Sequence, residues 1–224
     1  MSFSLINTFD KLLIIKHPEI MKIFRYFFII IAFCFFACKS ETIYQVYQPN
    51  PEDGKDAVIS EAYGKRNYSH IERLHLLSLT VNDTIDNDSR FLLRIGFSNI
   101  PQEARIDSAF IHLSAIEPGH FGENNSFRVE VIKEAWRNET VNWDNQPLTY
   151  DDALIIVTAT NEKFKSQKIN VSKFVSDVIK NRRPNLGLLF KLVNEEKPYK
   201  GVRFHSSNSK EESKRPKLEV YYSL

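Results

Sequence analysis

Arg94, Arg128, Lys191, Arg203 and His205 all fall in short runs where they alternate with apolar residues. If the strands that carry them are neighbours, these side chains converge on one sheet face and offer charge-assisted hydrogen bonds to the carboxylates of an acidic ligand such as a sugar acid. The competing reading is a solvated face whose arginines pair with acids such as Glu130 and Glu219, pairs worth about 0–1 kcal/mol each. Strand order decides between the two. Trp136 and Trp143 add a second chemistry, because aromatic faces stack on the C–H faces of sugar rings. The packing reading is the leading one for both: two rings seven residues apart, laid over one end of the fold, with Glu139 and Thr140 hydrogen-bonding the turn. Lys65, Arg66, Tyr68 and His70 form a further polar and aromatic group in a loop.

Reactive groups are not arranged for catalysis. His70 and His75 are five apart, not the i, i+4 pair that sets two metal ligands on one helix face, and His112, His120 and His205 have no local Cys/Asp/His cluster. A G-x-S-x-G elbow is absent. Asp151-Asp152, Glu195-Glu196 and Glu211-Glu212 read as solvated loop acids. The roughly 5–9.5 Å spacing of glycosidase carboxyls is a spatial property, so a polysaccharide hydrolase or lyase stays open as a third reading. The sequence therefore predicts no catalytic residue, no metal site and no cofactor.

The elements that must position these groups are mostly strands. Phe91, Leu93, Ile95 and Phe97 share one face while Arg94 and Gly96 share the other, the period of a strand with one buried side. The same pattern recurs at Ala109, Ile111 and Leu113; at Phe127, Val129 and Val131; at Leu188, Phe190 and Leu192; at Val202 and Phe204; and at Leu218, Val220 and Tyr222. Weaker candidates cover 57–62, 74–80 and 153–157, and an entering strand covers 43–47. Short strands separated by polar Gly/Asn/Pro segments predict an all-β, antiparallel sandwich. One helix interrupts them. Val171, Phe174, Val175, Val178 and Ile179 form a single apolar stripe, with Asn170 as N-cap and Pro184 beyond the end. At about ten residues this helix is marginal alone and should lie across the sandwich, burying its stripe.

The N-terminus reads as an export signal. Lys22 and Arg25 precede an uncharged apolar run at 26–37, which at about 12 residues is too short to span a bilayer as a helix but typical of a signal-peptide core. The run ends in Phe35-Phe36-Ala37-Cys38, which resembles a bacterial lipobox. By that resemblance Cys38 carries a lipid and becomes the mature N-terminus. A second methionine, Met21, stands at a better start for this signal, so an overextended start at residues 1–20 is an expectation, and Ser40-Glu41 after Lys39 loosely resembles an outer-surface sorting signal. The expected organisation is a leader at 1–37, a tether at 38–56 and a sandwich at 57–224. Four of the 30 basic and two of the 28 acidic residues lie in the leader, so the mature chain holds 26 of each. A balance of zero argues against nucleic acid as a partner. Cys34 also leaves with the leader, so no internal disulfide is expected.

Several segments, taken in order, carry a family resemblance. They are Arg90-Phe-Leu-Leu-Arg-Ile-Gly-Phe-Ser98 leading to Ile100-Pro101, Ala104-Arg-Ile-Asp-Ser-Ala109, and Trp136-Arg-Asn-Glu-Thr-Val-Asn-Trp143 with Gln146-Pro147. The helix stripe, Asn185-Leu-Gly187, Val202-Arg-Phe-His-Ser206 and Arg215-Pro-Lys-Leu-Glu-Val-Tyr221 complete them. Together, across about residues 57–223, they resemble the DNRLRE domain, also described as carbohydrate-binding module family 96 and related to repeats in archaeal disaggregatase. The resemblance implies a jelly-roll-like β-sandwich, usually in secreted or surface proteins, and recognition of acidic polysaccharide such as alginate. Gly96 stands where family members commonly carry an acid, so no metal site is carried over.

The leading expectation is a non-catalytic lipoprotein of the bacterial outer membrane, facing the cell surface, that binds anionic polysaccharide. The second is a structural or adhesion subunit that binds another envelope protein through a sheet edge or an apolar patch.

Overall fold

Strands covered on one face alternate in burial, as at 73–79 and 105–113, whereas strands covered on both faces, as at 56–60 and 91–93, are buried continuously. The computed structural model describes residues 41–82, 84–117, 119–196 and 199–224, so the leader and Cys38 lie outside the described residues. Eleven strands are present among them: β1 (Ile43–Tyr47), β2 (Lys55–Ser60), β3 (Arg73–Val81), β4 (Ile85–Arg94), β5 (Arg105–Leu113), β6 (Phe127–Ile132), β7 (Thr149–Val157), β8 (Gln167–Asn170), β9 (Leu188–Leu192), β10 (Lys200–His205) and β11 (Lys217–Ser223). A four-stranded sheet has the order β1-β11-β5-β8, and a seven-stranded sheet has the order β10-β3-β4-β9-β6-β7 with β2 also paired to β4. The pairings are antiparallel. The chain is thus the expected β-sandwich.

The main core forms between the two sheets. Phe91, Phe127, Phe190 and Phe204 come from the larger sheet, and Ala109, Ile111, Leu113, Leu218 and Val220 from the smaller. Phe91 and Phe190 are register partners, and their rings stack at 4.3 Å and 14°. Burying one such ring stabilises the fold by about 1.5–3 kcal/mol. The predicted strand at 91–97 begins earlier and stops at Arg94. Ile95 and Phe97 nevertheless stay buried, because the chain keeps its inward side chains on the core after ladder pairing ends.

The entering strand expected at 43–47 is held in the smaller sheet. β1 pairs with β11 from Ile43 opposite Tyr222 to Tyr47 opposite Leu218, and Ile43 and Tyr47 pack on the core. The compact unit accordingly begins at Thr42. Apolar alternation in 43–47 gives this stretch a face to bury, which a solvated linker lacks.

The helix α1 (Ser172–Ile179) covers the core with Phe174, Val175 and Ile179 buried. Its N-cap position is Val171 rather than the expected Asn170. The Asn170 side chain still acts there, since its Oδ1 accepts the backbone N–H of Ser172 at 3.0 Å. Ser172 Oγ in turn accepts the Ala109 N–H at 2.8 Å and pins the helix start to β5.

Candidate functional site

Strand register brings some of the sequence candidates together and separates others. Arg128 on β6 is the register partner of Lys191 on β9, and both project from the face of the seven-stranded sheet opposite the main core. Glu130 lies between them, with Oε1 3.1 Å from Arg128 Nε and 3.1 Å from Lys191 Nζ. Its Oε2 accepts the Thr149 hydroxyl at 2.8 Å. This pair therefore follows the ion-pairing reading, since the buried carboxylate neutralises much of its charge. Glu219 sits on the other sheet and pairs with Lys217 and His112 instead of an arginine.

The tryptophan segment lies over the middle of this same outer face, not over one end of the sandwich. Trp136 and Trp143 pack with Val141 against Ala57 and Ile59 of β2, Leu92 of β4 and Leu189 of β9. Trp136 Nε1 donates to the Leu186 carbonyl at 2.7 Å. Trp143 lies over Arg90, whose guanidinium holds Glu195 through bonds of 2.8 and 2.7 Å and donates to Gln146 at 2.7 Å. Glu195 is therefore a structural partner and not a solvated loop acid. The turn is organised by asparagines in place of the expected Glu139 and Thr140 side chains. Asn142 Oδ1 accepts the Asp144 and Asn145 N–H groups, and Asn145 Oδ1 accepts that of Asn142. Short Asn side chains match backbone amide spacing in such turns. From outside the segment, Asn67 Nδ2 donates to the Asn138 and Val141 carbonyls at 2.8 and 2.7 Å.

Beside the covered centre, the β3/β10 end of the face is open. Arg203 and His75 are register partners, and Arg73 precedes His75 by one alternation on the same strand. With Tyr68, Leu77 and Glu72 they line a groove of about 580 Å³. Arg203 Cζ lies 4.9 Å from the Phe121 ring centroid, and Arg66 Cζ lies 5.6 Å from that of Tyr68. Burial, followed by the guanidiniums of Arg203 and Arg73, pushes the His75 imidazole down to about 4. It is uncharged at neutral pH, so the groove offers two guanidiniums, one neutral hydrogen-bonding ring and one phenol. Glu72 is the one acid among its lining residues.

The sandwich, its single helix and the covering tryptophan segment coincide with a known family. The family model for carbohydrate-binding module family 96 matches residues 50–222. The chain belongs to this family. Carbohydrate is thereby the class of ligand that family-96 membership supports, and binding modules of this kind are typically non-catalytic. No curated protein matches the chain.

His205 is not on the open face of this family-96 module. The strand alternation points it away from the core as expected, but the loop after β10 folds over it. Its ring is buried and its Nδ1 lies 2.8 Å from Ser209 Oγ. Burial lowers its pKa. Arg94 is also apart from the groove, in a separate cleft at the end of β4. Of the loop group at 65–70, Tyr68 reaches the groove and His70 is exposed. Arg73 and His75 were missed as ligand candidates, although they alternate with the buried Leu74 and Leu76, because which strand pairs with theirs is not legible in the sequence. Among the described residues, no group of three or more His, Cys, Asp or Glu side chains is placed to hold a metal ion.

Proposed function

We propose that this family-96 module is a non-catalytic, lipid-anchored envelope protein that binds anionic polysaccharide along the groove between Tyr68 and Arg203. The observation that carries the reading is the pair of guanidiniums from Arg73 and Arg203 flanking the neutral His75 in an open groove of about 580 Å³. Guanidiniums hold carboxylates in bidentate geometry, and the Tyr68 ring and Leu77 offer apolar surface to sugar C–H groups. Anchoring rests on the lipobox resemblance ending at Cys38.

Affinity electrophoresis through gels containing alginate, polygalacturonate or neutral dextran tests the reading. Retardation is expected in the acidic gels and should weaken with added salt. Arg203→Gln or Arg73→Gln should reduce it roughly tenfold, the effect of losing about 1.4 kcal/mol of charge-assisted bonding. Equal mobility in all three gels would remove the reading. Polymer of unchanged length after incubation supports the non-catalytic part.

A second reading draws on β1, the outermost strand of the smaller sheet among the described residues, where Tyr44 and Val46 are 50% and 44% exposed. Exposed apolar residues on an edge strand suit addition of a strand from an envelope protein. Capture of one defined envelope protein, lost on Val46→Lys, supports that alternative.

A further inference from the structure

At the end of β4 the chain passes through a glycine that neither backbone nor packing requires. The φ of Gly96 is not positive, and a Cβ built on it meets no atom within 4 Å. Its missing side chain marks the place where two cavities meet. One, of about 560 Å³, extends toward the C-terminal end of α1; the other, of about 430 Å³, extends toward the segment after β1; Gly96 and Ser98 line both. Either cavity accommodates a sugar ring, and a side chain at 96 would project between them.

The first cavity contains two polar groups that the described residues do not satisfy. The Arg94 side chain, partly buried, makes no ion pair or hydrogen bond to a described residue. Asn185 donates its Nδ2 to the Ile95 carbonyl at 2.9 Å, which leaves its Oδ1 buried without a partner. Arg128 and Lys191, by contrast, share Glu130 and are neutralised in place. An unpaired guanidinium in a cleft calls for an anion, and a buried amide oxygen calls for a donor such as a hydroxyl. The floor beneath them is apolar, from Phe97, Ile100 and Ile179. The second cavity has no cation in its lining, and Asp53, Asn99 and Gln48 provide hydroxyl-binding groups there.

We infer that this cleft is a second carbohydrate site, distinct from the sheet groove, for a short oligosaccharide whose acidic unit sits on Arg94 and whose chain crosses the gap at Gly96. The ligand class rests on the glycan-binding reading; the location does not. The two ends differ in chemistry, so the chain enters with its acid at the α1 side and a hydroxyl-rich unit on the Asp53 side.

Calorimetry on the full chain in detergent, with trimers of galacturonate, mannuronate and guluronate as probes, tests it. Two sites per chain are expected for at least one trimer. Gly96→Trp fills the junction without meeting another atom at Cβ and should leave one site, with an unchanged melting temperature. Arg94→Gln should weaken that same site about tenfold, while Arg73→Gln with Arg203→Gln should remove only the other. A single site in the unaltered chain that Gly96→Trp leaves intact, no binding of any trimer, or isotherms unmoved by both Gly96→Trp and Arg94→Gln would overturn the cleft site. Binding that survives the Arg73/Arg203 change in full but is abolished by Gly96→Trp would keep the cleft and discard the groove.

Discussion

The indole of Trp143 lies over the guanidinium of Arg90, with Cζ 4.3 Å from the ring centroid, while the same guanidinium grips Glu195 through two hydrogen bonds of 2.8 and 2.7 Å. This stack joins the tryptophan segment to β4 and, through Glu195, to the connection between β9 and β10. The ring that resembled a sugar platform is thereby half-covered by the protein's own cation. A double-mutant cycle between Arg90→Ala and Trp143→Ala, read by urea unfolding, should give a coupling of about 0.5–2 kcal/mol. Additive effects would show that the stack contributes nothing beyond its packing.

Asn67 fastens the same segment from the other side. Its side chain satisfies two carbonyls, Asn138 and Val141, at 2.8 and 2.7 Å. Asn67→Ala should cost about 1–3 kcal/mol, because carbonyls built to be bonded lose their donor. Limited proteolysis should then cut first within residues 138–146. Protection equal to that of the unaltered chain would mean that packing under Trp136 and Trp143 holds the segment without Asn67.

Asp56 should make stability depend on pH in an unusual direction. Burial raises its carboxyl from 3.8 to about 6, opposed by the Ser207 N–H that donates to its Oδ2 at 2.7 Å. Between those values the folded protein binds a proton that the unfolded chain releases. This group therefore adds stability as pH falls through the window, and the addition is lost as pH rises through about 6. Asp56→Asn keeps an oxygen for Ser207 without the charge. Thermal melts should find the variant more stable than the unaltered chain at pH 7.5, with the difference shrinking toward pH 4. A difference independent of pH would mean an ordinary carboxyl.

His75 makes a prediction about binding. Its imidazole, held down to about 4 by burial and by Arg203 and Arg73, is uncharged from pH 5.5 to 8. The ratio of polyanion affinities between the unaltered chain and His75→Asn should stay constant across that range and rise only as pH approaches 4, where a third cation forms in the groove. A change in the ratio centred near 6.5 would show an exposed ring. The linked stability term runs opposite to that of Asp56: it is full above about 6.5 and lost as pH falls toward 4.

Strand faces were legible because alternation is local. Phe91, Leu93, Phe127, Val129, Leu188 and Phe190 point to the core as period two requires. The helix stripe was legible for the same reason. The chain's second core was not, because Ala57, Ile59, Leu92 and Leu189 lie on the outward face of their strands and are buried by the tryptophan segment together with Ile132 and Leu186. His205 failed as a surface candidate in the same way, covered by the loop that ends in Arg215, whose Nε donates to the Ser209 carbonyl.

By itself the sequence determined the sandwich class, the inward side of each main strand, one amphipathic helix and the family, since each depends on short-range periodicity or on ordered motifs. Only the tertiary structure decided what each cation meets. Arg203 meets His75 across a register between distant strands, Arg128 and Lys191 meet over Glu130, and Arg94 opens onto a cleft bounded by α1. A strand's own pattern says which way a side chain points; pairing across the sheet and the loops laid over it say what that side chain meets.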